Sequence, residues 1–173
     1  RLVQDKKILF LVKAFHEKLH KLPSNAKLII VGDGDQAEEI KNYVVANNLS
    51  NKIILKGAIS DYKTLQELYA TSLVSVSPGY VGLSITQSLG FGVPMLISKD
   101  EIHSPEIEAA NIGFNSIYFE TDNVTDLINS FLQLFEEKES WIAKRDEISK
   151  NCRNNYSIEI MAKPFLKIFT ENG

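Results

Sequence analysis

The stretch SPGYVGLSITQSLGFGVPMLIS, Ser77 to Ser98, runs from an apolar segment through a glycine-bearing turn and a helical pattern. It leaves through Gly92 and Pro94 into a second apolar segment. Gly79 and Gly82 flank the turn at the carboxyl end of a strand pattern, and a helix starting near Gly82 to Ser84 points unsatisfied N–H groups into the crevice. Gly82 leaves room for a phosphate, Ser84 adds a hydroxyl donor, and Gln87 follows one turn along the same face. These residue types suit anion binding. A strand, turn and helix with glycines placed only for packing fits the same composition.

HEKLH, His16 to His20, matches the H-E-x-x-H zinc pattern, with Glu39 at a spacing where a third ligand could stand. The helix buries its Phe15 and Leu19 side, however, so the two histidines are read as solvated surface residues and no metal site is assigned. VGDGDQA, Val31 to Ala37, fits the G-x-G-x-x-A outline of a dinucleotide fingerprint. The next strand ends in Lys56 and Gly57 where an acidic ribose ligand is wanted, and Asp33 and Asp35 bring negative charge to the helix start. Gly32 and Gly34 are read as a tight turn, with the aspartates as helix caps.

The elements that must hold these residues alternate in type. Ile8, Val12, Phe15, Leu19 and Leu22 recur at helical spacing until Pro23. Strand-like KLIIVG, KIILKG, LVSVSP, PMLIS and SIYF then alternate with helical DQAEEIKNYVVANNL, YKTLQELYATS, LSITQSLGFG and EIEAA. That order predicts an α/β fold, a Rossmann-like doubly wound parallel sheet with helices on both faces. The carboxyl-terminal part, 123–173, reads as helices: VTDLINSFLQLFEEK, SWIAKRDEISKNCRNN and IEIMAKPFLKIF, the last kinked by Pro164.

The 173 residues suit a single domain, and a hydrophobic fraction of 44% fills a core and argues against disorder. A net charge of -3 offers no broad attraction for nucleic acid or anionic lipid, so an anion must be held locally. Cys152 alone can form neither an internal disulfide nor a cysteine metal cage. No apolar run approaches bilayer length, and a cytoplasmic domain is expected. RLVQDKK reads as a loop feeding a helix, whereas a doubly wound sheet opens on a strand, so the chain is expected to begin inside a longer protein.

The Ser77 to Ser98 stretch resembles the donor-site signature of the retaining family 4 glycosyltransferases, whose two Rossmann-like domains form the GT-B arrangement. RLVQDKK resembles that family's Gly-Arg-Leu-x-x-x-Lys segment, AKLIIVGDGDQAEEIKNYV its Lys-Leu-x-Ile-Val-Gly-Asp-Gly segment, and NKIILKGAIS its Val-x-Phe-x-Gly segment. The likeness spans nearly the whole chain, in order. It implies the carboxyl-terminal half of a GT-B enzyme: Arg1 and Lys6, with Lys7 as the alternative, would contact a nucleotide diphosphate. Gly82, Leu83 and Ser84 would bind its distal phosphate, and Lys56 and Gly57 would line the base pocket.

Two departures stand out. Gly79 replaces the family's first glutamate, a ligand of the donor sugar, and Gln87 replaces the second, keeping a hydrogen-bonding side chain that can reach a ribose. PGYVGL followed by Pro105 and Glu106 is similar to a branch of bacterial surface-polysaccharide transferases, in which Glu106 could partly replace the missing carboxylate. SPEIEAA is equally a good helix start. The resemblance implies hexosyl transfer from a UDP- or GDP-sugar, with no further cofactor, to a saccharide or lipid-linked acceptor held by an absent amino-terminal domain. The full-length enzyme could sit peripherally at the inner face of a membrane, and the domain alone is expected to be inactive. A non-catalytic nucleotide-binding or interaction module of the same fold, and a dinucleotide-using enzyme, remain as alternatives.

Overall fold

The computed structural model describes residues 1–163 of the chain. A 3₁₀ turn at Gln4–Lys6 leads into helix α1 (Ile8–Glu17), after which strand β1 (Leu28–Ile30), helix α2 (Ala37–Ala46), strand β2 (Ile53–Leu55) and helix α3 (Tyr62–Thr71) alternate. Strand β3 (Ser75–Ser77), helix α4 (Ser84–Gly90), strand β4 (Met95–Ser98) and strand β5 (Ser116–Phe119) follow, with a 3₁₀ turn at Pro105–Ala109 before β5. Helices α5 (Val124–Glu136), α6 (Lys138–Ala143) and α7 (Arg145–Tyr156) come last. Each strand bond is parallel, as β–α–β alternation requires.

β4 shows why helices cover both faces. Its side chains alternate, with Met95 and Ile97 packing against α4 and α7 while Leu96 packs toward Leu11 of α1 and Leu127 of α5. Every residue of β4 is buried. Burial of a leucine or isoleucine of this kind contributes about 1.5–3 kcal/mol. A third cluster joins Leu2, Val12 and Phe15 to Ile30, Ile40 and Ile53, so α1 touches the strands of both halves.

The strands form two hydrogen-bonded groups, β1–β2 and β3–β4–β5, and β1 does not pair with β3. β1 is as apolar as a buried parallel strand should be and β3 carries serine on both sides of Val76, and Leu28, Ile29, Ser75 and Val76 are only half-buried. Among the described residues each of the two strands has an edge without a neighbouring strand.

Other elements are shorter than the sequence pattern predicts. α1 stops at Glu17, where the Lys18 N–H donates to the Ala14 and His16 carbonyls and tightens the chain into a 3₁₀ turn at Leu19–Lys21. EIEAA forms 3₁₀ rather than α, and Asn115 Nδ2 takes the Ala109 carbonyl at 3.0 Å where the turn ends. SWIAKRDEISKNCRNN is divided at Lys144. Directly after that break, Arg145 donates to the carbonyls of Tyr69, Ala70 and Ser72 at the end of α3, where the Tyr69 carbonyl also accepts from the Ser72 N–H. Pro164 and the rest of IEIMAKPFLKIF after residue 163 lie outside the described residues. In the described part of that segment Ile158 and Met161, one turn apart, are 83% and 60% exposed.

Candidate functional site

The carboxyl ends of β1 and β3 open at one mouth, and the first turn of the chain is packed onto it. The Tyr80 N–H donates to the Asp5 carbonyl at 2.8 Å. Gly79 is buried directly beneath this contact: a Cβ there would stand 2.1 Å from the Asp5 oxygen. The glycine at the position of the first family glutamate therefore supplies closeness, since no side chain fits. That closeness delivers Lys6, whose ammonium donates to the Tyr80 carbonyl at 2.8 Å and lies 4.3 Å from the Tyr80 ring centroid. Burial lowers the Lys6 pKa from its ordinary value, Asp5 opposing and Arg1 adding to the shift.

Val81 fixes the other side of the turn. Its N–H donates to His103 Nδ1 at 3.1 Å, and its carbonyl accepts from the Ser104 N–H at 3.0 Å and the Ser104 hydroxyl at 2.9 Å. An N–H can only donate, so His103 Nδ1 is the bare nitrogen and Nε2–H donates to the Ser98 carbonyl at 3.1 Å. Between these clamps the N–H groups of Gly82, Leu83 and Ser84 bond to none of the described residues. Leu83 is 71% exposed, leaving the helix start open to an incoming group.

Arg1, Lys6, Gly82, Leu83, Ser84 and Gln87 all line the same cleft of about 1260 Å³, which continues down between β1 and β3. Lys7 is turned elsewhere. Its ammonium bonds Asp122 at 2.8 and 2.9 Å and pairs with Glu101, and although burial opposes them the two carboxylates hold its pKa above the ordinary value. Of the two lysines, Lys6 is the one at the mouth.

Lys56, Gly57 and Glu106 are placed around this group rather than in it. Gly57 ends the β2 segment with φ of 68°, and its carbonyl accepts the Gly32 N–H at 2.8 Å. Ala58 and Ile59, the next residues, line the cleft, whereas Lys56 and Gly57 do not. Glu106 sits in the Pro105–Ala109 turn, outside the cleft lining. One of its oxygens is buried without a partner. Gln87 is exposed on α4 and accepts a long hydrogen bond from Tyr69, 3.4 Å, with Tyr69 stacked on Phe91 at 4.8 Å.

The other two motifs do not form sites. The fingerprint turn is filled by the chain itself: the Gln36 N–H at the start of α2 donates to the Leu2 carbonyl at 2.9 Å, and the Leu2 N–H donates to Asp33. A Cβ on Gly34 would stand 2.6 Å from that same Leu2 oxygen. Asp33 caps the turn through the Gly34 N–H at 2.8 Å, and the N-cap of α2 is Gln36, which corrects the assignment of both aspartates as helix caps. In HEKLH, α1 ends before His20, and His16 Nδ1 lies 3.0 Å from the Tyr43 hydroxyl. Among the described residues no three His, Cys, Asp or Glu side chains gather into a metal-binding group.

Tyr80, Tyr69 and His103 stand in or behind the mouth without having been singled out from sequence. Tyr80 lay within the quoted motif. His103 had no signal, because its partner Val81 is 22 residues away.

The profile of the glycosyl transferases group 1 matches residues 1–155. The chain is 27% identical over 172 residues to the UDP-N-acetylglucosamine--peptide N-acetylglucosaminyltransferase GtfA subunit of Limosilactobacillus reuteri subsp. suis, covering 99% of this chain and 27% of the relative. It is 28% identical over 158 residues to the poly(glycerol-phosphate) alpha-glucosyltransferase of Bacillus subtilis, covering 91% of this chain and 23% of the relative. The chain thus spans about a quarter of the length of these curated relatives. In fold it is similar to an S. aureus TarM mutant solved with fondaparinux, alpha-GlcNAc-glycerol and UDP, with a TM-score of 0.81, 23% identity, and coverage of 98% of this chain and 34% of that one.

Proposed function

Because the chain belongs to the glycosyl transferases group 1 family, we propose that it is the donor-binding domain of a hexosyltransferase and that its cleft mouth holds a nucleoside diphosphate sugar. The observation that carries this reading is the convergence of two cations, Arg1 and Lys6, with the free N–H groups of Gly82, Leu83 and Ser84 in a chain of net charge -3. Such a concentration of donors complements an anion such as a diphosphate.

In this reading Lys6 and Arg1 offset the charge that grows on the diphosphate as the glycosidic bond breaks, while the α4 amides fix its distal phosphate. Gln87 hydrogen-bonds the ribose, the segment from Lys56 and Gly57 to Ile59 receives the base, and Glu106 is the candidate to replace the carboxylate absent at Gly79. No metal is needed for these roles. UDP is the preferred base carrier because the L. reuteri relative is named for a UDP-sugar and the TarM mutant was solved with UDP; GDP is the other choice. A saccharide or lipid-linked acceptor, its binding domain, and work at the inner face of a membrane belong to the longer protein. Among the described residues no helix is long and apolar enough to cross a membrane.

Gly79 favours a second reading, a nucleotide-binding module without catalysis, because the site of the family's first glutamate has no space for any side chain. Calorimetric titration with UDP, GDP, ADP and NAD tests the first reading: one nucleoside diphosphate binds and NAD does not. Binding of none of them contradicts it, and sugar transfer by the full-length enzyme excludes the second.

A further inference from the structure

We propose that Tyr69 is a positioning residue of the donor site, its hydroxyl orienting the Gln87 amide so that this side chain meets the ribose with one face already committed. Resting on the donor-binding reading above, this role adds a residue that acts on the nucleotide only through Gln87.

The helix geometry explains why the two side chains meet. Phe91 follows the end of α4 and its N–H donates to the Gln87 carbonyl at 3.3 Å, so Phe91 stands one helical turn beyond Gln87 on the same face. Tyr69, from the last turn of α3, stacks on Phe91 with ring centroids 4.8 Å apart and planes 14° from parallel. Tyr62, at the start of α3, packs on the same ring at 5.1 Å. Held on that platform, the Tyr69 hydroxyl donates to Gln87 Oε1 at 3.4 Å. The contact is long, as hydrogen bonds at unliganded sites commonly are, and it tightens when the amide is engaged. Burial raises the Tyr69 pKa above its ordinary value, so the phenol stays protonated and able to donate. Both side chains line the cleft together with Arg1, Lys6 and Ser84.

An exposed glutamine needs such a partner more than a glutamate does. Left to itself, the Gln87 amide can turn either its oxygen or its NH2 toward a ligand, and holding one choice costs rotamer entropy. The Tyr69 hydroxyl takes the oxygen, which leaves the two Nε2 hydrogens, bonded to none of the described residues, to donate to a ribose hydroxyl. A carboxylate in this position has two equivalent oxygens, both acceptors, and requires no orienting group. Tyr69 therefore matters because residue 87 is an amide.

Calorimetric titration with UDP and GDP, each beside its 2′,3′-dideoxy analogue, tests the proposal on the parent chain, on Tyr69→Phe, on Gln87→Glu and on the double variant. Phenylalanine keeps the stack on Phe91, and an unchanged urea midpoint reports an intact fold. The parent prefers the ribonucleotide by about 10-fold, the worth of a good hydrogen bond to a ribose hydroxyl. Tyr69→Phe cuts that preference to about threefold or less by weakening the ribonucleotide alone, whereas in the Gln87→Glu background the same change leaves the preference within about twofold. A preference retained in Tyr69→Phe, equal weakening of both ligands, or the same loss in the Gln87→Glu background overturns the proposal. A parent that binds UDP or GDP without preferring ribose also overturns it and leaves the donor reading standing, while a parent that binds no nucleotide overturns both.

Discussion

The Lys6 ammonium and the Tyr80 carbonyl meet at 2.8 Å although 74 positions separate them in the chain. The contact ties the first turn to the β3–α4 loop and leaves a half-buried cation beside the open start of α4. Lys6→Ala is expected to weaken UDP or GDP binding by about 10- to 100-fold, the worth of a charge-assisted hydrogen bond. Lys7→Ala, which breaks contacts to Asp122 and Glu101 only, leaves nucleotide affinity within a few-fold. Calorimetry on both variants checks the pair.

The same lysine sets a pH dependence. Burial lowers the free Lys6 pKa from 10.5, and a bound diphosphate raises it again. Affinity is therefore full below the free-state pKa and falls as pH rises through it, at lower pH than an ordinary lysine would give. A titration series toward alkaline pH shows this fall in the parent and a flatter profile in Lys6→Ala.

Gly79→Ala places a Cβ 2.1 Å from the Asp5 oxygen, and neither backbone segment can yield without moving Lys6. A loss of about 1–3 kcal/mol or more in urea denaturation is expected. A Gly79→Glu change intended to restore the family carboxylate is expected to be worse still.

His103→Ala removes the acceptor of the Val81 N–H and leaves a buried donor unpaired, at a cost of about 1–3 kcal/mol. Because Val81 precedes the free amides, nucleotide affinity falls along with stability. Ser104→Ala, which leaves the Ser104 N–H on the Val81 carbonyl in place, is milder in both measurements.

Arg145→Met keeps the apolar stem but strips the guanidinium donors from the Tyr69, Ala70 and Ser72 carbonyls. Thermal unfolding is expected to show destabilisation of about 1–3 kcal/mol, with little effect on nucleotide affinity.

Much of the architecture was legible because it depends on local pattern. Periodicity placed α2, α3 and α5 and the five strands, and their alternation gave the parallel pairing. The glycine-bearing turn, Lys6 and the α4 start were legible because they lie within short motifs. Contacts between distant segments were not: the Leu2 carbonyl that fills the Gly34 turn, the Asp5 oxygen over Gly79 and the His103 clamp on Val81 have no sequence signature. A glycine read as a lost glutamate is better understood as the only residue that lets two backbones touch. The choice between Lys6 and Lys7 likewise needed Asp122, which lies 115 positions from Lys7.

The most direct test of the donor-site account is an NMR titration of the domain with UDP, and with GDP, read at backbone amides. The account predicts that Gly82, Leu83 and Ser84 shift together with Lys6 and Tyr80, while the Gly32 to Gly34 turn, already covered by Leu2, shifts little. Shifts centred on that turn and the start of α2, or none at the start of α4, would contradict it.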